Sequence, residues 1–268
     1  MQRIQIGLSR AASASGLRTL DRKNPTSWEF PGISQNCEDG IIDYLTRQIH
    51  KPNRYFIEVG VSDGTENNTS YLALARRYNG LMVDGNAEAV AWCKYLLQPM
   101  HYGLDFLSLF ITRQNVVELV DRALFKDPDV FSLDTDGNDF FFVRALLEAG
   151  LRPKIAVVEY NSAFGPQQSI SIKYQENFAV KQAYRMNLYY GCSIMGWRRL
   201  FETYGYKFVT VESNGANAFF IDPKHFPKQF LKPLRGLQFA ENHSQLREYR
   251  MSWPQQWELI KEMEFEKI

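Results

Sequence analysis

Short apolar runs alternate along the chain with longer stretches in which apolar residues recur every three or four positions. Five of the short runs predict β-strands, because they are rich in branched and aromatic residues and end at polar or glycine positions. These strands are predicted at residues 54–60, 80–85, 104–111, 129–134 and 154–160. Runs that are apolar at nearly every position are typical of parallel strands that are covered on both faces.

Helical periodicity separates these runs and continues after them. Helices are predicted at residues 37–49, 67–78, 86–98, 114–125, 139–150 and 192–205. Asn36 and Asp39 have N-cap and N3 spacing at the first helix, and Gly150 stands where a left-handed residue ends many helices. Two last strands, residues 206–213 and 217–222, flank a tight turn. This order predicts an α/β fold with a doubly wound, mostly parallel sheet and an antiparallel edge.

Composition narrows the class of protein. With 268 residues, 45% of them apolar, the chain can bury a substantial core, which excludes a disordered or fibrous protein. The formal net charge of +1 gives no reason to expect a nucleic-acid partner. No apolar run approaches the length of a membrane-spanning helix. Three cysteines without metal-type spacing favour a reducing, cytoplasmic location.

The two ends of the chain differ in composition from the region between them. The first twenty residues are basic and contain no acid, which imitates a transit peptide, although we interpret residues 1–30 as a peripheral arm. Residues 31–222 carry the strand and helix pattern and form the predicted domain. Residues 223–268 show no clear core pattern, so we expect them to wrap the domain or to join an oligomer interface, with a homodimer as one arrangement.

Polar clusters follow four of the predicted strands. They are residues 58–64, 84–86, 134–139 and 159–161. In a doubly wound sheet, ligands bind beyond the carboxyl ends of the strands, so these clusters should meet at one edge. Each cluster alone fits a turn or a helix cap equally well, but four acidic strand ends at one edge indicate a binding site.

The first two clusters bear on the cofactor. A dinucleotide site needs the pattern G-x-G-x-x-G, whereas this chain has Gly60 and Gly64 with Asp63 between them. A negative charge in that turn repels a pyrophosphate but tolerates a ligand that carries an ammonium group. Asp84, at the end of the second strand, can accept hydrogen bonds from ribose hydroxyls. A ribose with a cationic, phosphate-free tail describes S-adenosylmethionine.

The stretch "FSLDTDGND", residues 131–139, does not fit a calcium-binding EF-hand. Counted from Asp134, glycine falls at position 4 rather than 6, and position 12 is Ala145 rather than glutamate. Asn138 or Asp139 is expected to cap the following helix.

Capping leaves the first two aspartates of this stretch without a role. Asp134 and Asp136, with Glu159 and Asn161 on the next strand, are therefore a candidate all-oxygen site for Mg²⁺ or Mn²⁺. Such an ion would lower the pKa of a substrate hydroxyl.

Eight motifs follow one another between residues 30 and 222: "SQNCEDGI", "FIEVGVSDGTENNTSYL", "GLMVDGNAEAV", "ITRQNVVEL", "FSLDTDGNDFFF", "VVEYNSAFGP", "YYGCSIMGWRRLFETYGYKFV" and "NGANAFFI". Their order resembles that of FkbM-type S-adenosylmethionine-dependent methyltransferases, and most closely a bacterial subgroup of them. The resemblance implies a class I methyltransferase fold, with a seven-stranded sheet whose last strand is antiparallel. It also implies an acceptor hydroxyl on a sugar, nucleotide-linked or phosphorylated intermediate of surface-polysaccharide or natural-product biosynthesis.

The resemblance also assigns site residues. Cofactor-binding residues would be Gln35, Glu58, Gly60, Asp63, Gly64, Asp84 and Asn86. Four of them, Glu58 to Gly64, would line the methionine end of the cofactor, Asp84 would hold its ribose with Asn86 nearby, and Gln35 would close over it. Similarity to other O-methyltransferases places a divalent metal on the ends of strands four and five. Many FkbM-type enzymes, however, have glutamate where this chain has Asp136.

Catalysis then requires little beyond positioning and the removal of one proton. Asp134 and Asp136 are the predicted catalytic residues, acting as proton acceptors or through a bound metal. Residues 162–190 stand where this fold carries a substrate lid, and Lys173, Lys181 and Arg185 in that segment could meet an anionic acceptor or form a solvated face. Two alternatives remain: a nicotinamide-dependent oxidoreductase and a non-catalytic scaffold of the same fold.

Overall fold

The computed structural model describes residues 2–183 and 186–268. In this part of the chain the strands are β1 Tyr55–Val59, β2 Asn79–Asp84, β3 Leu104–Ser108, β4 Val130–Leu133, β5 Ile155–Glu159, β6 Ile170–Ile172, β7 Lys207–Val211, β8 Asn217–Ile221 and β9 Phe265–Lys267. The helices are α1 Gln2–Leu17, α2 Glu38–Thr46, α3 Ser70–Arg76, α4 Ala87–Leu97, α5 Glu118–Arg122, α6 Asp139–Glu148, α7 Val180–Ala183, α8 Ile194–Thr203, α9 Lys228–Leu231, α10 His243–Tyr249 and α11 Trp253–Ile260.

The central sheet of the described residues has seven strands in the order β3-β2-β1-β4-β5-β8-β7. Strands β1 to β5 pair in parallel, and β8 is antiparallel to both β5 and β7. The predicted α/β fold with a mostly parallel, seven-stranded sheet and an antiparallel last strand is therefore confirmed. The antiparallel strand lies inside the sheet, and its hairpin partner β7 forms the edge.

The turn between β7 and β8 is held by a buried carboxylate. Glu212 accepts hydrogen bonds from four successive backbone N–H groups, those of residues 214–217. Gly215 adopts φ +75° in this turn, as a tight "NGA" turn requires.

Alternate residues of the strands face two separate cores. On one face, Ile57, Leu133 and Val158 pack with aromatic residues of α6 and α8. On the other, Phe56, Val130 and Val157 pack with apolar residues of α2, α3 and α4. Burial of both faces explains why the parallel strands are apolar at nearly every position.

Two predicted helices differ from the structure. The helix predicted at residues 114–125 is limited to Glu118–Arg122, because the N–H groups of residues 118–120 donate three residues back, to the carbonyls of residues 115–117, so residues 113–117 form tighter turns rather than α-helix. The first helix has Cys37 at its N-cap, with φ +72°, rather than Asn36. Asp39 instead accepts the backbone N–H of Ser34, whose hydroxyl accepts the Asp39 N–H.

The two ends of the chain contain elements that periodicity did not predict. Gln2–Leu17 forms α1, and β9 pairs with β6 in a separate two-stranded sheet. A third apolar cluster joins residues of the 162–190 segment, including Phe164 and Tyr189, to α11 and β9. Among the described residues, no helix is long and apolar enough to span a membrane.

Candidate active site

A cavity of about 530 Å³ lies at the carboxyl edge of the sheet, where β1, β2, β3 and β4 end. This volume is within the usual range for small-molecule sites. Its lining is Val59, Gly60, Ser62, Asp84, Gly85, Asn86, Leu109, Phe110, Ile111, Asp134, Thr135, Asp136, Gly137, Asn138, Phe142 and Phe178. Three of the four polar clusters predicted at the strand ends therefore contribute residues to the lining of this cavity.

Gly60 brings the ends of β1 and β4 into contact. It has φ +91°, and a Cβ atom at this position would lie 1.7 Å from the carbonyl oxygen of Asp134. Its N–H donates to the carbonyl of Val83 on β2, at 2.8 Å. No other residue type fits this close backbone approach, so Gly60 shapes the floor of the cavity.

Asp84 faces the same cavity from the end of β2. Its two carboxylate oxygens accept the N–H groups of Ser62 and Asn86, each at 2.8 Å. Asn86 in turn caps α4, because its side-chain oxygen accepts the N–H groups of Glu88 and Ala89. The Asp84 carboxylate is therefore fixed in orientation and half-buried, with lone pairs left for a ligand.

Glu58 points away from the cavity, to the start of α3. Its buried carboxylate accepts the N–H groups of Asn68 and Thr69, the Asn67 side-chain amide and the Thr69 hydroxyl. Burial raises the pKa of Glu58. Glu58 therefore satisfies the backbone donors that a helix following β1 would otherwise offer to a ligand.

Three other predicted cofactor residues are not part of the cavity lining. Asp63 accepts hydrogen bonds from the N–H and the hydroxyl of Thr65, which closes a local turn. Gly64 faces α4, where a Cβ atom would lie 2.5 Å from the Cys93 sulfur. Gln35 is exposed, and its backbone N–H donates to the carbonyl of Glu66 at 3.1 Å.

The 134–138 loop is held from below by Asp139. This fully buried carboxylate accepts the N–H groups of Thr135, at 2.7 Å, and Gly137, at 2.8 Å. Burial raises its pKa to about 6. Asn138 occupies the N-cap position of α6 without a side-chain cap bond, and it exchanges two hydrogen bonds with the backbone of Gln175 instead.

The structure brings Asp134, Asp136 and Glu159 together. One carboxylate oxygen of each lies within 4.8 Å of the others. The side chains of Asp134 and Glu159 are close enough to form a hydrogen bond with each other when one of them is protonated. Burial and the nearby acids raise the pKa of both groups well above the usual range. Asp136, exposed on the cavity wall, adopts φ +54°, an uncommon backbone conformation that is frequent at functional sites.

Asn161, the fourth predicted metal ligand, has its side chain engaged elsewhere. It is fully buried, and its amide group donates to the carbonyls of Leu188 and Tyr190, at 2.7 and 3.0 Å. Its side-chain oxygen accepts the N–H of Ala163. The residue thus anchors the 188–190 segment to the end of β5.

Tyr190 is a site residue that the sequence did not identify. Its buried hydroxyl hydrogen-bonds the Glu159 side chain and accepts a hydrogen bond from Gln245 at 3.1 Å. Burial and the neighbouring carboxylates raise the pKa of Tyr190 well above its usual value. Tyr190 lies within a recognised motif, but nothing in the spacing indicates where its side chain points.

The 162–190 segment lies over part of the cavity. Phe178 lines it and lies over Gly137, where a Cβ atom would be 2.6 Å from the ring. The charge of Lys181 is close enough to Asp136 to favour its ionised form. Lys173 pairs with Glu264 at 3.2 Å on the surface, and Arg185 lies outside the described residues.

Comparison with known proteins gives a fold likeness only. No family model matches the sequence, and no curated sequence matches it. The structure is similar to an O-methyltransferase from Bacillus cereus in complex with SAH, with 13% identity and a TM-score of 0.44 over 82% of this chain and 90% of that one. It is also similar to the magnesium protoporphyrin IX methyltransferase from Synechocystis PCC 6803 with bound SAM, with 8% identity and a TM-score of 0.42 over 69% and 77%. Likenesses this distant carry no argument about activity.

Proposed function

We propose that the protein is an S-adenosylmethionine-dependent O-methyltransferase that uses a divalent metal. One observation carries the proposal: a cavity at the carboxyl edge of the sheet is faced by a fixed carboxylate, Asp84, and has an acidic cluster at its other side. The first feature suits the hydroxyls of a ribose. The second suits a cationic centre and the removal of a proton beside it.

The position of Glu58 argues against a dinucleotide cofactor. In dinucleotide-binding folds the pyrophosphate lies on the N-terminus of the helix that follows the first strand. Here the Asn68 and Thr69 N–H groups at that helix start already donate to Glu58. A diphosphate would have to displace a buried carboxylate, whereas a cofactor without phosphate does not. The sequence predicted that Asp63 would repel a pyrophosphate, but its carboxylate accepts a hydrogen bond from Thr65 instead. The case against a dinucleotide therefore rests on Glu58.

The lining suggests how the cofactor would bind. Asp84 would accept from the ribose hydroxyls, with Asn86 beside it, and Gly60 would allow the methionine portion to approach the backbone. The exposed ring of Phe110 provides a flat apolar surface for the adenine. Glu58, Asp63, Gly64 and Gln35 would then act indirectly, by holding the loops around the cofactor.

The donor set fits a hard divalent cation. Asp134, Asp136 and Glu159 offer three carboxylate oxygens, the ligand type that Mg²⁺ and Mn²⁺ prefer. The three carboxylates concentrate negative charge, which the nearby charge of Lys181 partly offsets at Asp136 and which a bound cation would offset further. Asn161 can join the set only by giving up bonds to the 188–190 segment. A bound cation would polarise the acceptor hydroxyl and lower its pKa.

The reaction then requires an in-line attack by the acceptor oxygen on the methyl carbon. The new O–C bond forms as the S–C bond breaks, and the electron pair of that bond stays on the sulfur. Asp136, which faces the cavity, would take the hydroxyl proton, with Asp134 next to it. Phe142 and Phe178 would exclude water, and Lys181 could meet a phosphate or carboxylate of the acceptor.

The finer assignments rest on the motif resemblance. We place the protein with the FkbM-type enzymes, and we infer an acceptor hydroxyl on a sugar, nucleotide-linked or phosphorylated intermediate in bacterial surface-polysaccharide or natural-product biosynthesis. The three cysteines are free thiols, which suits the cytoplasm. Methyl transfer from labelled S-adenosylmethionine to a panel of nucleotide sugars would test the acceptor class.

A thermal-shift comparison separates the proposed function from its alternatives. We expect S-adenosylhomocysteine to raise the melting temperature and NAD to leave it unchanged. A response to NAD alone would instead support an oxidoreductase. If neither ligand stabilises the protein, the result would support the non-catalytic scaffold.

A further inference from the structure

Glu159 is held from behind by a chain of buried hydrogen bonds that begins in the C-terminal part of the protein. The Asn242 N–H donates to the Ser162 hydroxyl at 2.9 Å, and that hydroxyl donates to the Gln245 side-chain oxygen at 3.3 Å. The Gln245 amide nitrogen donates to the Tyr190 hydroxyl at 3.1 Å. The last bond joins Tyr190 to the Glu159 carboxylate.

The direction of this chain is fixed by its donors. Because the Tyr190 oxygen accepts from Gln245, its single hydrogen is free to point at Glu159. Gln245 is 7% exposed and Tyr190 is 5% exposed, so water does not readily replace either bond. A second bond, from the Trp197 indole to the Glu159 carbonyl at 2.7 Å, holds the backbone at the same residue.

We propose that Tyr190 and Gln245 are positioning residues that hold Glu159 as an oxygen ligand for a divalent cation. This inference rests on the proposed metal-assisted function. It makes α10 part of the site, although α10 lies outside the region of the motif resemblance. Neither residue touches the reacting atoms: Tyr190 orients the carboxylate, and Gln245 orients Tyr190.

Direct Mn²⁺ titration, followed by the electron paramagnetic resonance of the free ion, tests the inference without an acceptor. The variants are Tyr190→Phe, Gln245→Met and both together, in full-length protein. Gln256→Met is a matched control, because Gln256 is also buried in the C-terminal part but donates to the Met251 carbonyl. S-Adenosylhomocysteine affinity is measured on the same samples.

Each single site variant is expected to weaken Mn²⁺ binding about 10- to 100-fold, the usual effect of losing a partner of a metal ligand. The double variant should be no weaker than Tyr190→Phe, because both changes act through Glu159. Gln256→Met should bind Mn²⁺ like the wild type, and every variant should keep the wild-type affinity for S-adenosylhomocysteine. If Gln245→Met does not fold, Gln245→Glu keeps the volume and turns the Tyr190 hydrogen away from Glu159, so it should also weaken Mn²⁺ binding.

Three results would overturn the inference: a wild type that binds no Mn²⁺, site variants that bind it as tightly as the wild type, or an equal loss in Gln256→Met. The cofactor titration separates this failure from that of the proposed function. If the wild type binds S-adenosylhomocysteine while any of these results holds, only the metal site and its positioning residues are refuted. If the wild type binds neither ligand, the proposed function is refuted as well.

Discussion

Replacing Glu159 with glutamine should stabilise the cation-free protein, and the gain should grow as the pH rises. Glutamine has nearly the same shape, can donate to Asp134 and can still accept from Tyr190. What it removes is one of three acids whose oxygens lie within 4.8 Å of one another. The wild type must keep a proton on the Asp134–Glu159 pair or accept the repulsion between two charges.

The size of the effect follows from that distance. At this upper limit of 4.8 Å, two unit charges repel by about 3.5 kcal/mol at an effective dielectric constant of ~20. Proton uptake and solvent relieve part of this repulsion, so we expect Glu159→Gln to gain about 2 kcal/mol at high pH. For a chain of this size that is a rise in melting temperature of roughly 4–8 °C.

The pH dependence has a definite sign. Because the pKa values of Asp134 and Glu159 are raised in the folded protein, their stabilising contribution is complete below the unfolded values near 4. That contribution is lost as the pH rises through the raised folded values. The wild type should therefore lose stability relative to Glu159→Gln between mildly acidic and mildly alkaline pH.

Melting curves in excess EDTA, recorded from pH 5 to pH 9, measure this difference. Glu118→Gln is the matched control, because Glu118 is exposed on α5 and is not one of the three clustered acids. A melting-temperature difference between wild type and Glu159→Gln that stays constant with pH would refute this reasoning. So would a wild type whose melting temperature rises relative to that of the variant as the pH increases. Excess Mn²⁺ should reverse the order by stabilising only the wild type.

Substitutions at three further positions, Gly60, Glu58 and Asp84, test the loops around the cavity. Gly60→Ala should cost about 3 kcal/mol or more in urea unfolding, because its Cβ would collide with the Asp134 carbonyl; an unchanged midpoint would show that the two loops are not in contact. Glu58→Ala should cost about 3 kcal/mol by leaving two buried N–H groups unpaired, and Glu58→Gln should cost less. Asp84→Asn should weaken the binding of S-adenosylhomocysteine about 10- to 100-fold, measured by calorimetry, whereas Asp63→Asn should leave this affinity unchanged. An equal loss of affinity in both variants would contradict the assignment of the ribose to Asp84.

Strand periodicity predicted the sheet and the edge at which the cavity lies, because both depend on local sequence pattern. Gly60, Asp84 and Asp134 follow strands that pair side by side, so their place at one edge follows from the strand order. Glu58 was assigned to the cavity as part of the same cluster. Alternation along β1 puts it on the face of Phe56, which packs with α3, and so its carboxylate meets the start of that helix.

The parts that the sequence did not predict depend on contacts between distant segments. Gln245 reaches Tyr190 across 55 positions, and β6 and β9 are three-residue strands that pair almost a hundred residues apart. Such short strands carry no detectable periodicity. Asn161 was assigned as a ligand from its position after β5, but the 3-10 turn at residues 162–164 takes its side chain as a cap.

The central claim is that the cavity between β1, β2 and β4 binds S-adenosylmethionine. A crystal structure of the protein with S-adenosylhomocysteine and Mn²⁺ tests it most directly. The claim predicts ligand density in this cavity, with the ribose hydroxyls on Asp84, and a metal peak between Asp134, Asp136 and Glu159. An empty cavity at saturating ligand, or a ligand bound away from Asp84, would contradict it.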